Sequence, residues 1–360
     1  MSFRSFLSSL CGPVSLALFG LAAVAQAQTD GAPPFAFNVD SVQFSNPPVR
    51  LAGAVLKPDG NGPFPAIVIV HGAGPATFDE PAFRVHANAF VHGGFAVLLY
   101  DKRGSGKSTG ILDTSDYDDL AADLSAGVQY LRTRGDIVPG KVGILGRSEG
   151  GWIGTLAASR DPLIKFVILS SGSGVRPSEQ TLFATAGSLR SLGASTQEVE
   201  AATAAKSALW TYYGRVANLD SIAARSADMQ IARDSLEKKL RSFARFAPEI
   251  PQIVRDPAHT PPAFFRAFTH KIDYDPAPAF HAANAALLEI IGDQDEVIDP
   301  ASTIAVFEGL RSAGRDVTVR ILPGVGHSLV IMTKASPRYP EDYPEFAVRW
   351  ARAVIDRTKE

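Results

Sequence analysis

The sequence predicts an α/β fold in which a mostly parallel central sheet is covered by helices on both faces. Short apolar runs alternate with amphipathic stretches along most of the 360 residues. Strands that are apolar throughout are typical of parallel sheets, because both faces of such sheets are buried. The amphipathic stretches between them have the spacing of helices that cover those faces. This alternation is interrupted once, in the second half of the chain.

The first half of the chain contains most of the predicted strands. Asn38–Phe44 and Arg50–Leu56 alternate in polarity like strands with one exposed face, and Pro58–Gly62 is typical of a turn. The elements that follow are strand Ala66–Val70, a helix near Pro81–His92, strand Ala96–Tyr100, a helix near Tyr117–Arg132, strand Val142–Leu145, a helix from Ser148 and strand Phe166–Leu169.

The interruption is predicted to be a helical cap. Residues 175–280 contain no convincing strand, whereas Thr196–Tyr213 and Asp220–Phe246 carry apolar residues at the three- and four-residue spacing of helices. Prolines from Pro248 to Pro262 then break up the helical pattern. We expect most aromatic residues of the cap to hold its helices together and onto the core. These residues are Trp210, Tyr212, Tyr213, Phe243, Phe246, Phe264, Phe265 and Phe268.

The pattern therefore divides the chain into four segments. Residues 1–27 are a predicted export signal, 28–174 and 281–360 are the two parts of the core, and 175–280 are the inserted cap. The core resumes after the cap with strand Ala286–Ile291, helix Pro300–Ala313, strand Asp316–Leu322 and a last helix near Tyr343–Arg357.

The most informative motif is Gly-Arg-Ser-Glu-Gly at residues 146–150. It lies directly after the apolar run Val142–Leu145 and directly before a predicted helix. A serine at such a strand-to-helix turn sits on a strained corner, where small neighbours are needed because the backbone passes close to adjacent elements. The turn lifts the hydroxyl of Ser148 out of the sheet. We therefore identify Ser148 as the candidate nucleophile.

A base and an acid follow the serine in the expected order. A serine hydroxyl needs a base, and the base needs an orienting group. The strand Ala286–Ile291 ends in a turn that carries Asp293 and Asp295, and a later strand ends in a glycine-rich loop that carries His327. Residues at the carboxyl ends of parallel strands converge on one edge of the sheet. Ser148, one of the two aspartates and His327 are therefore predicted to meet there.

With these residues the chain resembles the α/β-hydrolase superfamily, and within it the bacterial dienelactone-hydrolase-like serine esterases. The resemblance extends from about residue 50 to the C-terminus, with a variable middle. It implies that the acid lies three residues after the glycine of a Gly-x-x-Asp turn, which selects Asp295 over Asp293. It also implies that His71 is a scaffold residue. Further matching segments are His71–Pro75, Tyr100–Ser108 and Pro323–His327.

The same resemblance implies where the oxyanion of the reaction is stabilised. One donor is expected to be the backbone N–H of Glu149, the residue after the nucleophile. The family pattern places the other donor at Ala73, in the loop after the third strand, with Gly74 as the alternative. The side chain of Glu149 is expected to be structural, since a carboxylate aimed at an oxyanion would oppose catalysis.

Three further features of the sequence are predicted to have other roles. The segment Gly104–Thr109 looks like the tail of a phosphate-binding loop, but the required glycine five positions before Gly106 is Asp101. We therefore expect a scaffold loop. Asp299 is expected to cap the helix that begins at Pro300. The other histidines show no metal-ligand spacing, so neither a metal nor any other cofactor is predicted.

The N-terminus predicts export to the periplasm or the medium. Arg4 is followed by the largely apolar run Val14–Val24, and Ala25-Gln26-Ala27 fits a cleavage site for a signal peptidase. The apolar run is short for a membrane span, so stable membrane insertion is not expected. Cys11, the sole cysteine, lies within this signal. The mature chain would therefore have no thiol, which leaves Ser148 as the nucleophile.

The predicted function is that of an exported serine hydrolase acting on small carboxylic esters. The formal net charge of −2 gives no indication of nucleic acid as a partner. A serine peptidase or an acyltransferase would share the same core and stays an alternative. A non-catalytic binding protein on the same scaffold is a third class, although all three predicted catalytic residues are present in order. Oligomeric state is not predicted.

Overall fold

The structure, a computed structural model, describes residues 35, 37, 39–331 and 338–357. The predicted export signal, residues 1–27, lies outside the described residues. Within them the chain forms an eight-stranded sheet in the order β1-β2-β4-β3-β5-β6-β7-β8. The strands are β1 Val39–Asn46, β2 Val49–Leu56, β3 Phe64–Val70, β4 Ala96–Tyr100, β5 Ile137–Arg147, β6 Ile164–Ser170, β7 Ala286–Gly292 and β8 Val317–Leu322.

The sheet is mostly parallel, which confirms the predicted fold class. Strand β2 pairs antiparallel with both β1 and β4, and every pairing from β4 across to β8 is parallel. The chain moves from β3 outward to β4 and then returns to place β5 on the other side of β3. Such a switch point opens a crevice at the carboxyl ends of the strands, where ligands bind in open α/β sheets.

Helices surround this sheet on both faces. The α-helices of the described residues are α1 Pro81–His92, α2 Tyr117–Thr133, α3 Glu149–Arg160, α4 Pro177–Ser191, α5 Thr196–Ala217, α6 Ala227–Arg241, α7 Pro262–Ile272, α8 Ala277–Ala282, α9 Pro300–Ser312 and α10 Glu345–Arg357.

Two apolar clusters lie on opposite faces of the sheet. One contains buried residues of α2, α3 and α9, such as Leu124, Ile153 and Phe307, and the other contains residues of α1 and α10, such as Phe90 and Ile355. Successive residues of β3 alternate between the clusters, because neighbouring side chains of a strand point to opposite faces. Nearly all of β3 is buried, as expected for a strand covered on both sides.

Between β6 and β7 the chain forms helices α4 to α8. Their side chains build a third apolar cluster that extends from Leu189 in α4 to Phe265 in α7. Four of the aromatic residues predicted to hold this region together are buried in that cluster. They are Tyr212, Tyr213, Phe246 and Phe265. The ring of Tyr213 contacts Phe264, Phe265 and Phe268 edge-on.

The structure differs from the predicted elements at three places. Asp220–Phe246 is not one helix, because Ser226 accepts a hydrogen bond from the Met229 N–H and begins α6 there. Pro262 does not break a helix but begins α7, since proline fits the first helical turn. Strand β2 is buried except at Arg50 and does not have the exposed face that its sequence suggested.

No helix among the described residues combines the length and apolar character needed to cross a bilayer.

Candidate active site

The turn after β5 holds Ser148 in the strained conformation predicted from its motif. Ser148 has φ of 51° and ψ of −119°, a left-handed backbone that side chains with a Cβ rarely adopt. It lies directly before α3, and its N–H donates to the Ser170 carbonyl at 3.0 Å. Such strain costs about 1–3 kcal/mol and persists only where the surroundings enforce it.

The two glycines of the motif are required by space. A Cβ on Gly146 would lie 2.1 Å from the carbonyl oxygen of Gly150. A Cβ on Gly150 would lie 2.6 Å from the carbonyl oxygen of Val70 and 2.9 Å from that of His71. The start of α3 therefore packs directly against the end of β3. This close approach brings the serine turn beside the loop that follows β3.

Asp295 and His327 are brought together at the same edge of the sheet. The Nδ1 atom of His327 lies 3.0 Å from Oδ2 and 3.2 Å from Oδ1 of Asp295. Oδ1 also accepts the N–H groups of Val297 and Ile298 at 2.9 and 2.8 Å. Both side chains are buried, at 0% exposure for Asp295 and 2% for His327. The carboxylate is thus held from one side by the backbone and offered to the imidazole from the other.

The competing aspartate, Asp293, is engaged elsewhere. It is exposed, and its Oδ1 accepts the Gly324 N–H at 2.7 Å. This contact holds the loop that leads to His327 but does not involve the imidazole. Asp299 accepts a hydrogen bond from the Ala301 N–H at the start of α9, which confirms its predicted capping role.

Backbone contacts fix the loop that carries His327. Its N–H donates to Oε2 of Glu296 at 3.1 Å, and its carbonyl accepts the hydroxyl of Ser171 at 2.9 Å. Ser171 follows Ser170, whose carbonyl accepts a hydrogen bond from the Ser148 N–H. The end of β6 therefore connects the loop of His327 to the turn of Ser148. Ser171 itself has φ of 50° and is fully buried.

The loop after β3 lies against the serine turn. A Cβ on Gly72 would lie 3.5 Å from the Cβ of Ser148. Ala73 is exposed in this loop, and Gly74 has φ of 89°. Glu149 opens α3, and the first N–H groups of a helix have no partner within the helix. The two segments expected to supply oxyanion donors are therefore neighbours in the structure.

His71 has the surroundings of a structural residue. Its Nε2 lies 3.1 Å from the Thr77 carbonyl, and its ring packs edge-on against Phe83 and Tyr100. Burial, together with the nearby Lys102 cation, lowers the pKa of His71 to about 3. The imidazole is therefore neutral near pH 7 and anchors the loop through its hydrogen bond.

Two contacts of Lys102 in this site were not predicted from the sequence. Lys102, which follows β4 closely, donates from Nζ to Oε2 of Glu149 at 2.6 Å and to the Gly72 carbonyl at 2.9 Å. Burial raises the pKa of Glu149, but the cations of Lys102 and Lys271 and the hydroxyl of Tyr117 outweigh it and leave the pKa below its usual range. The Glu149 side chain thus remains a carboxylate and is neutralised internally.

The segment 104–109 is a scaffold loop in the structure. Oδ2 of Asp101 accepts the Lys107 N–H at 2.7 Å and lies 2.2 Å from the position of a Cβ on Gly106. The Asp101 carboxylate therefore occupies the space beside Gly106 and the Lys107 N–H. Its other oxygen accepts the Phe78 N–H at 2.9 Å, and Ser105 Oγ accepts the Ala76 N–H at 3.2 Å. The loop thereby shapes the segment after β3.

A further acidic residue lies buried under the site. Glu289, in the middle of β7, has no exposed surface, and its carboxyl oxygens have no hydrogen-bond partner among the described residues. Burial raises its pKa well above the usual range, and the charge of Asp295 adds to this effect. Its buried position therefore favours the protonated form of the Glu289 carboxyl more than exposure to water would.

One group of side chains among the described residues has the ligand spacing of a metal site. The ligand atoms of Asp116, Asp118 and His270 all lie within 4.8 Å of one another where α7 meets the start of α2. Nδ1 of His270 lies 3.3 Å from Oδ2 of Asp116, Nε2 lies 3.6 Å from Oδ2 of Asp118, and Asp116 also caps α2. Direct contacts thus join the three side chains of this cluster.

The sheet order, with a strained serine turn after the strand at the switch point, is the architecture of the α/β hydrolases. Comparison with known families gives a narrower assignment. The family described as serine aminopeptidase, S33, matches residues 62–332, and the chain belongs to this family.

Individual relatives include enzymes with several named activities. Esterase EstD of Thermotoga maritima is 30% identical over 148 residues, which cover 40% of this chain and 35% of the relative. A 2-hydroxy-6-oxononadienedioate/2-hydroxy-6-oxononatrienedioate hydrolase of Burkholderia vietnamiensis is 35% identical over 111 residues, which cover 30% of this chain and 37% of the relative. The matches thus span only about a third of the length of these relatives.

The fold is also similar to that of solved esterases. An esterase structure from Pyrococcus furiosus superposes with a TM-score of 0.51 at 16% identity, over 90% of this chain and 92% of that chain. At this identity the likeness concerns the fold alone.

Proposed function

We propose that the protein is a serine hydrolase that cleaves carboxylic esters through an acyl-enzyme. The observations that support this proposal are the buried contact of Asp295 with Nδ1 of His327 and the strained turn of Ser148. A carboxylate on Nδ1 keeps the proton of a neutral imidazole there and leaves Nε2 as a proton acceptor. Membership in a hydrolase family supports the same conclusion.

In the first half of the proposed reaction, Ser148 attacks the ester carbonyl. His327 takes the hydroxyl proton as the Oγ–C bond forms, and Asp295 stabilises the resulting imidazolium. The electron pair of the carbonyl moves onto its oxygen, where the N–H groups of Ala73 and Glu149 stabilise it. When the tetrahedral intermediate collapses, the alcohol leaves with the proton from His327.

In the second half, water repeats the cycle on the acyl-enzyme. His327 removes a proton from the attacking water, and the same two N–H groups stabilise the second oxyanion. The collapse of this intermediate returns the proton to Ser148 and releases the carboxylic acid. Each step therefore uses the same positioned groups, and none requires a redox change.

Esters are proposed as the substrates because relatives of this chain are named esterases. The family description names an aminopeptidase, so a peptide bond is the second candidate for the same catalytic residues. An ester and an amide differ in their leaving group, since an amine must be protonated before it leaves. The two candidates therefore differ in substrate and share Ser148, Asp295 and His327.

A substrate comparison separates the two candidates. The purified protein is assayed on p-nitrophenyl esters from acetate to long acyl chains, and on p-nitroanilides of single amino acids. The ester proposal predicts turnover of at least one ester with a kcat/KM far above that of any anilide. Efficient anilide turnover with weak ester turnover would support the peptidase and contradict the ester proposal.

We also propose that residues 1–27 direct export and are then removed. The support is the cationic start, the apolar run and the Ala25-Gln26-Ala27 sequence. N-terminal sequencing of protein recovered from the periplasm or the medium of a bacterial host is expected to begin at Gln28. Intact Met1 on protein that remains in the cytoplasm would contradict this proposal.

A further inference from the structure

Lys102 contacts both segments from which the oxyanion donors are expected. It lies in the loop after β4 and is 4% exposed. Its ammonium group donates to the Gly72 carbonyl at 2.9 Å and to the Glu149 carboxylate at 2.6 Å. One side chain thus joins the loop after β3 to the first residue of α3.

The contact with Gly72 determines how the next N–H points. The carbonyl of Gly72 and the N–H of Ala73 belong to one planar trans peptide group, so they point in opposite directions. A donor that holds the carbonyl therefore also fixes the direction of the N–H. This peptide lies between Gly72 and Ala73, and glycine permits backbone rotations that other residues resist. Without Lys102 the Gly72–Ala73 peptide group loses a hydrogen bond that resists its rotation.

The contact with Glu149 acts on the second donor. Glu149 supplies the other expected N–H, and its buried carboxylate is held by Lys102 at the start of α3. The side chains of Lys102 and Glu149 are 5% and 8% exposed, so the pair is shielded from water and salt. Lys102 thus contacts the residue of the second expected donor as well as the peptide group of the first.

We propose that Lys102 is a positioning residue for the oxyanion site, acting through the Gly72–Ala73 peptide and through Glu149. The proposal rests on the proposed function, since an oxyanion site matters only if Ser148 attacks a carbonyl. A purely structural ion pair is the competing explanation, because buried pairs often contribute little net stability and can be replaced.

The test compares Lys102→Met with Lys107→Met. Methionine keeps much of the length of lysine but cannot donate, and Lys107 is an exposed lysine of the same loop. A double variant, Lys102→Met with Glu149→Gln, removes the carboxylate charge that the single variant would leave buried without the lysine that donates to it. Active sites are counted with a fluorophosphonate, so that misfolded protein does not enter kcat.

Three readouts separate positioning from structure. They are kcat and KM on the best p-nitrophenyl ester, the inhibition constant of a trifluoromethyl ketone, and the rate of fluorophosphonate labelling. The Ser148 hydroxyl adds to the carbonyl carbon of the ketone, and the carbonyl oxygen becomes an oxyanion. The affinity of the ketone therefore measures how well the oxyanion site stabilises that charge. Fluorophosphonate labelling of Ser148 also places a phosphoryl oxygen in the oxyanion site. Its rate does not depend on the choice of ester substrate.

The proposal predicts a roughly 10- to 100-fold lower kcat for Lys102→Met, with KM changed by less than about threefold. The ketone inhibition constant is expected to rise, and the labelling rate to fall, by a similar factor. The double variant should recover stability but not kcat. Lys107→Met should behave like the wild type in every assay.

Values of kcat per active site, ketone inhibition and labelling within about twofold of Lys107→Met would overturn the proposal, even if the melting temperature fell. Such a result would leave Lys102 as a structural residue. Failure of the proposed function is distinguishable, because Ser148→Ala would then keep the turnover of the wild type. If Ser148→Ala is inactive and Lys102→Met keeps the kcat of the wild type, only the Lys102 proposal fails and the proposed function stands.

Discussion

At the scale of single residues, the site depends on which aspartate reaches the histidine. Asp293 and Asp295 are two positions apart on one turn, yet only Asp295 lies against the imidazole of His327. The N–H groups of Val297 and Ile298 hold the Asp295 carboxylate from behind, so its orientation does not depend on the histidine alone. This difference makes the pair a matched test of the proposed catalytic roles.

Asp295→Asn is expected to lower kcat by about 10³–10⁴-fold, because an amide N–H₂ facing Nδ1 favours the wrong tautomer of His327. Asp293→Asn keeps an oxygen that accepts the Gly324 N–H and should change kcat by less than about threefold. Ester hydrolysis by the two purified variants measures both effects. Equal losses in the two variants would contradict the proposed role of Asp295.

At the scale of elements, the site is produced by the close approach of α3 to the end of β3. The approach requires glycine at positions 146 and 150, and it sets the loop after β3 beside Ser148. Sequence alone indicated this turn, because its glycines, its serine and its apolar strand are local signals. It could not indicate the contacts of Lys102, whose partners Gly72 and Glu149 lie 30 and 47 positions away.

Gly150→Ala is expected to destabilise the protein by about 2 kcal/mol or more, because its Cβ would overlap backbone oxygen atoms that cannot move freely. It should also lower kcat by displacing the loop after β3. Gly135→Ala is the matched control, since a Cβ at this exposed turn meets nothing within 4 Å. Urea unfolding measures both variants, and equal stabilities would refute the packing argument.

At the scale of the whole molecule, the core strands and helices could be predicted because their signals are local. Helix α1 and strand β4 have the predicted bounds, since each is an apolar or amphipathic run between clear turn residues. The region between β6 and β7 was less predictable. There Ser226 caps the start of α6 within a segment whose periodicity suggested one helix, and Pro262 begins α7. Local residues at the helix ends therefore set boundaries that periodicity alone did not locate.

The buried histidines give the fold a predictable dependence on pH. Burial, with the charge of Arg147 adding to it, lowers the pKa of His86 to about 4 in the folded protein, whereas an unfolded histidine titrates near 6.5. Between these values the unfolded chain binds a proton that the folded chain does not. The free energy of unfolding should therefore be fully retained above pH 6.5 and fall as the pH is lowered toward 4.

His86→Gln is expected to make this dependence shallower by up to about 1.4 kcal/mol per pH unit between pH 4 and 6. His281→Gln, at an exposed position, is the control and should leave the slope of the wild type. Urea unfolding at several pH values provides the slopes, and the contributions of other groups cancel in the comparison. The same slope in His86→Gln and the wild type would show that His86 does not contribute to it.

The most direct test of the account is the hydrolysis of p-nitrophenyl butyrate by the wild type and by Ser148→Ala. The account predicts steady turnover by the wild type and none above background for the variant, with the two proteins equally folded by circular dichroism. Removal of the nucleophile eliminates the acyl-enzyme, so partial activity is not expected. Turnover by Ser148→Ala at the rate of the wild type would contradict the claim that Ser148 is the nucleophile.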